Sequence, residues 1–169
     1  MSFQGVILAL NNLKSEKIIG DYAICGGYAI SYYLEPAYTY DLDIMVLLNN
    51  EEEYHNLYAY LRKSGHKVEN VYIWIDDMPV QFLPSYIGGL YEGAIKKARK
   101  IFVKGIPSKV VSIEYLVALL LKSYRPKDKI RIVELLEKAN RDAINNIIEK
   151  YQDEEPILQE RLRAILEAV

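Results

Sequence analysis

The sequence predicts an α+β fold: a mixed α/β sheet flanked by helices, followed by a helical C-terminal part. Short β-rich runs alternate with helical periodicities up to about residue 111, and from Ser112 onward every apolar pattern is helical. A 169-residue chain with 51% apolar residues can also bury a core the size of one ordinary domain. The expected organisation is a core over residues 1–111, with residues 112–169 packed on it as helices.

Phe3, Val6, Ile7, Leu10 and Leu13 recur at three-and-four spacing, which predicts a helix over Phe3–Glu16. Tyr22–Cys25 is a short apolar run ended by Gly26-Gly27 and reads as a buried strand. Tyr28–Leu34 is helical and closed by Pro36. Asp41–Leu48 is rich in β-formers. Asn49-Asn50 then caps a helix whose first turn carries Glu51, Glu52 and Glu53, which runs to Lys63 and ends at Gly65.

Lys67–Ile75 and Val80–Leu83 read as two strands of one hairpin, turned at Asp76-Asp77-Met78-Pro79. Ser85–Ala98 is helical but interrupted by glycines, and Lys100–Val103 with Lys109–Val111 are short strands. Lys104–Ser108 and Arg125-Pro126 are the linker candidates. Four helices follow, opening at Ser112 and spanning Lys127–Ala139, Arg141–Tyr151 and Pro156–Ala168.

Composition narrows the chemistry. Cys25 is the single cysteine, which excludes a disulfide framework and a multi-thiolate zinc site and suits a reducing, cytoplasmic compartment. No secretory signal is visible, and no apolar run approaches the ~20 residues a membrane span needs. The net charge of −2 conceals a segregation: residues 1–93 hold 5 Lys/Arg against 12 Asp/Glu, while residues 94–131 hold 11 against 2. An acidic part followed by a basic segment suits a polyphosphate with its divalent cation. Solvated helix faces would give the same segregation.

The candidate chemistry lies in Cys25-Gly26-Gly27-Tyr28-Ala29 and Asp41-Leu42-Asp43. Alternate side chains of a strand share a face, so Asp41 and Asp43 point the same way. Two such carboxylates repel each other unless a cation joins them, and Mg²⁺ takes one or two protein carboxylates plus phosphates and water. A glycine turn lets backbone N–H groups approach a phosphate at a helix N-terminus. Together these residues specify a nucleoside triphosphate held by its phosphates and a metal.

These two stretches, with Thr39 and Tyr40 before the first Asp and Ile44 after the second, resemble the signature of the DNA-polymerase-β-like nucleotidyltransferase superfamily. That signature is a Gly-Gly or Gly-Ser turn, an intervening helix and an Asp-x-Asp strand. The sequence looks closest to the small prokaryotic branch that includes nucleotidyltransferase-type toxins of toxin/antitoxin and abortive-infection systems. The match centres on Tyr22–Leu83, with an echo in Leu121-Lys122 and Arg125-Pro126-Lys127-Asp128.

The resemblance implies that Gly26 and Gly27 contact the triphosphate, that Asp41 and Asp43 hold catalytic Mg²⁺, and that Thr39 belongs to the nucleotide site. It further implies transfer of a nucleoside monophosphate to a hydroxyl acceptor on a protein, an RNA or a small molecule, with a cognate antitoxin or other partner protein. Lys122, Arg125, Lys127 and Arg131 are candidates for neutralising the triphosphate, although Lys122 could instead cap its helix, and Asp128 is expected to pair with Arg131.

Two positions depart from the family pattern. Ala37 stands where many members have an arginine, and Gln81 stands where the superfamily's third carboxylate is expected. An amide oxygen can coordinate a cation but accepts no proton at neutral pH. Three outcomes stay open: catalysis with two carboxylates and a metal-activated acceptor, a contribution from Asp76 or Asp77 in the hairpin turn, Asp77 lying about 13 Å from Gln81 along an extended strand, or nucleotide binding without turnover.

Overall fold

The computed structural model describes residues 3–36 and 38–169, so Ala37 lies outside the described residues. Helix α1 (Phe3–Ser15) buries Val6, Ile7, Leu10 and Leu13, the stripe its spacing predicts. Strand β1 (Tyr22–Cys25) is buried along its whole length. Helix α2 (Gly26–Tyr33) begins two residues earlier than expected, because the glycine pair forms its first turn. Strand β2 (Leu42–Val46) and helix α3 (Glu51–Lys63) follow, with the Asn50 side chain accepting the Glu53 N–H at 2.9 Å as the α3 cap.

The expected single strand over 67–75 is broken in two. Asn70 adopts φ 57°, and the chain turns there between β3 (Lys67–Glu69) and β4 (Tyr72–Ile75). Asp76 and Asp77, at φ 50° and 63°, make the next turn into β5 (Met78–Pro84). A 3-10 turn (Ser85–Ile87) leads into α4 (Gly89–Lys96). Strands β6 (Arg99–Val103) and β7 (Ile106–Val110) form a hairpin around Lys104-Gly105, at φ 48° and 82°. The segment expected as a linker is therefore a tight turn plus ladder. Arg125-Pro126 is no linker either, being the start of a helix with proline in its first turn.

The seven strands form one mixed sheet in the order β3-β4-β5-β2-β1-β7-β6. β2 runs parallel to β5 and β1 parallel to β7, while the other neighbours are antiparallel. Four further helices follow: α5 (Ile113–Ser123), α6 (Pro126–Leu136), α7 (Arg141–Lys150) and α8 (Ile157–Ala168). Helix α5 buries Tyr115, Leu116, Val117, Ala118, Leu120 and Leu121, which makes it the post around which α2, α4, α6, α7 and α8 pack. Among the described residues no helix is long and apolar enough to cross a membrane.

Candidate functional site

The register places one row of side chains across four strands. Cys25 on β1 pairs with Asp43 on β2, Asp43 with Gln81 on β5, and Gln81 with Tyr72 on β4. Directly paired residues share a face of the sheet, so Gln81 stands beside Asp43 and faces the same way. All four line a cleft of about 900 Å³, with Asp41, Thr39, Gly26 and Gly27 on its floor and Lys122, Arg125, Lys127 and Arg131 contributed by α5 and α6. Of the residues singled out as candidate ligands or phosphate contacts, all but Asp76 and Asp77 line this one cleft.

The glycine pair has a steric reason. Gly26 sits at φ 60°, and a Cβ there would come within 2.1 Å of Asp43 Oδ2. A Cβ on Gly27 would come within 2.6 Å of the Thr39 methyl. Only glycine lets the first turn of α2 lie against the carboxylate and the threonine. Cys25, at the cap position, gives that turn no side-chain bond.

Asp43 is half-buried, and its pKa is pushed up to about 6 by burial and then by the charge of Asp41, with Arg125 and Lys127 pulling the other way. Burial and the neighbouring Asp43 also push the Cys25 thiol up, so it remains a protonated, inert core group. Tyr72, which sequence reasoning passed over, has its phenol raised by the adjacent Asp41 charge. Its signal was present only in its register opposite Gln81.

The helical wall differs from expectation in three pairings. Asp128, 2% exposed, does not meet Arg131. It accepts from Ser123 Oγ at 2.8 Å, the Arg125 backbone N–H at 2.9 Å and Arg125 Nε at 3.0 Å, while Arg131 pairs with Glu134 at 2.9 Å. Lys122 is bound to Glu155 and lies 4.8 Å from the Tyr91 ring centroid. The last carbonyls of α5, on Leu121 and Lys122, accept instead from Arg161 Nη1 at 2.8 and 2.7 Å. Lys127 has no ion-pair partner among the described residues. Asp76 and Asp77 do not line the cleft, and Asp76 lies against α1, where a Cβ on Gly5 would meet its Oδ2 at 2.1 Å. Among the described residues no group of three His, Cys, Asp or Glu side chains converges.

No protein-family model matches the chain, and no curated protein sequence does. Solved structures do match. An antigenic nucleotidyltransferase-like protein from Paracoccidioides brasiliensis superposes with a TM-score of 0.61 at 16% identity, covering 97% of this chain and 94% of that one. This chain has a nucleotidyltransferase-like fold. The antibiotic-resistance factor ANT(2'')-Ia matches it in solution with a TM-score of 0.55 at 14% identity, over 95% of this chain and 97% of the other. The crystal structure of ANT(2'')-Ia with adenylyl-2''-tobramycin gives 0.57 at 14% identity, over 90% and 99%. At these identities the likeness lies in the fold.

Proposed function

We propose that the chain is a Mg²⁺-dependent nucleotidyltransferase that moves a nucleoside monophosphate from a triphosphate to a hydroxyl acceptor. The observation that carries this reading is the Asp41–Asp43 pair, lodged against the Gly26 turn in a cleft whose far wall is cationic. The donor set fits one hard divalent ion: two carboxylates and the Gln81 amide oxygen supply oxygens only, and a cation would relieve the burial and the Asp41 charge that together raise Asp43. Asp41 and Asp43 would hold that ion, which when bound neutralises charge on the phosphates.

The first-turn N–H groups at Gly26 and Gly27 hold the phosphates of the leaving group, with Thr39 packed beneath them and Arg125 and Lys127 adding positive charge. The acceptor oxygen attacks the α-phosphorus in line. The bond from that phosphorus to the bridging oxygen breaks, and pyrophosphate departs with the electron pair. The hydroxyl proton goes to water in the cleft, since Gln81 cannot accept it.

Gln81 also favours a second reading, a nucleotide-binding or protein-interaction module such as a toxin/antitoxin component that does not turn over. Incubation of purified protein with α-labelled triphosphates and Mg²⁺, with protein, RNA and small hydroxyl acceptors, separates the two. Pyrophosphate release with label transfer, lost in Asp41→Ala/Asp43→Ala, supports the enzyme. Tight binding without transfer to any acceptor supports the module, and absence of both binding and transfer contradicts both readings.

A further inference from the structure

Most tyrosines near the cleft have a partner inside the protein. Tyr28 stacks on Phe3 with centroids 4.5 Å apart, the Tyr33 hydroxyl donates to the Val111 carbonyl at 2.7 Å, and Tyr115 meets the Tyr151 hydroxyl at 3.0 Å. Tyr38 and Tyr40, on the loop between α2 and β2, are more open to solvent. They are 90% and 56% exposed, yet both line the cleft. Tyr40 meets the ring of Tyr72 edge-on, with centroids 5.9 Å apart and planes at 81°, and Tyr72 lines the cleft together with Asp41. The fold gains little from two rings left in water, whereas a planar ligand would recover their apolar area. The other cleft wall supplies Arg125, Lys127 and Arg131, so a ligand that joins a flat ring to phosphates matches both walls.

We propose that Tyr38, Tyr40 and Tyr72 form a stacking platform for a nucleobase beside Asp41. This rests on the nucleotidyltransferase reading, and the base belongs either to the donor triphosphate or to a nucleotide at the end of an RNA acceptor. A ring held there lies next to the carboxylate pair, so the platform fixes which end of the nucleotide enters the site. Stacking is tolerant of base identity and grows with ring area, so purines bind more tightly than pyrimidines.

The test is titration calorimetry of the full chain with Mg²⁺ and three probes: ATP, inorganic tripolyphosphate and a short single-stranded RNA. The proteins are wild type, Tyr38→Ala/Tyr40→Ala and Tyr38→Phe/Tyr40→Phe, with circular dichroism confirming the fold. The alanine pair is expected to lose at least about tenfold in affinity for the base-bearing probe, as base–aromatic stacking typically gives. The phenylalanine pair keeps it, and tripolyphosphate binds all three alike. A loss for ATP assigns the donor base, and a loss for RNA with ATP unchanged assigns the acceptor base. Unchanged affinity for both, or an equal loss for tripolyphosphate, overturns the platform. A wild-type chain that binds neither ATP nor tripolyphosphate overturns the nucleotidyltransferase reading with it.

Discussion

At one end of the β1–β2 ladder Asp21 accepts from Lys109 Nζ at 2.5 Å and the Tyr22 N–H at 2.8 Å, and it pairs with Lys14 at 3.2 Å. At the other end no hydrogen bond from a described residue reaches the Asp43 carboxylate, and Asp41 stands beside it. Burial pushes both acids up. The lysines and the backbone N–H outweigh it at Asp21, whose pKa falls below the ordinary value, while Asp41 adds to it at Asp43, whose pKa rises to about 6. The fold thus surrounds Asp21 with lysines in direct contact, whereas Asp43, which faces the cleft, is offset only through space by Arg125 and Lys127.

The sharpest break in the contrast is removal of the pair. Asp41→Ala/Asp43→Ala should lower nucleotidyl transfer by about 10³-fold or more, the scale of losing the main charge-stabilising group of a site. Lys109→Met should leave transfer unchanged and lower stability by about 1–2 kcal/mol, because Asp21 is partly solvated. A radiolabel transfer assay and urea unfolding of both variants check the two halves together.

Next in size, Gly26→Ala places a methyl in the left-handed region and against Asp43 Oδ2. It should cost about 2–4 kcal/mol in urea unfolding, and Gly65→Ala, where nothing lies within 4 Å, should cost only about 1 kcal/mol. Gln81→Glu adds the carboxylate that the β5 register lacks and should raise transfer by at least about tenfold, with a rate that climbs with pH as the new base ionises. A fall in rate would mean that the amide oxygen is needed as it stands.

The smallest effect concerns stability and pH. Asp43's folded value lies above its ordinary 3.8, so its contribution is full below that pH and is lost as pH rises through about 6. Asp21, depressed, has the opposite slope: its contribution is present above the ordinary value and lost as pH falls through its folded value. Asp43→Asn should therefore stabilise the metal-free protein by about 1–2 kcal/mol at pH 7.5 and by almost nothing at pH 4. Thermal melts at the two pH values measure it.

The strand-facing half of the site is legible in the sequence because its rules are local. Period-two alternation is what singles out Asp41 and Asp43 in the sequence, and both line the cleft, although Asp41 stands one residue before β2 and is not placed by the strand itself; a glycine pair after an apolar run marks the turn. Gln81 could be located in the sequence, but that it stands directly across from Asp43 comes from the parallel register of β2 and β5. The helical wall resisted reading because its pairings are distant or geometric. Lys122 meets Glu155 thirty-three positions away. Asp128 meets Arg125 rather than Arg131 because the α6 N-terminus offers it the Arg125 backbone N–H as well as the guanidinium. The split of residues 67–75 and the Lys104-Gly105 turn were missed for another reason. Asn70 and Lys104 take positive φ, which non-glycine residues adopt only when the surrounding pairing repays it.

The cation proposed at Asp41 and Asp43 should be visible in stability. Thermal unfolding at pH 7.5 with and without millimolar Mg²⁺, for wild type and for Asp41→Asn/Asp43→Asn, tests it most directly. Mg²⁺ should raise the Tm of the wild type, whereas the double variant should start higher and gain nothing from the metal. Equal Mg²⁺ stabilisation of both proteins would contradict it.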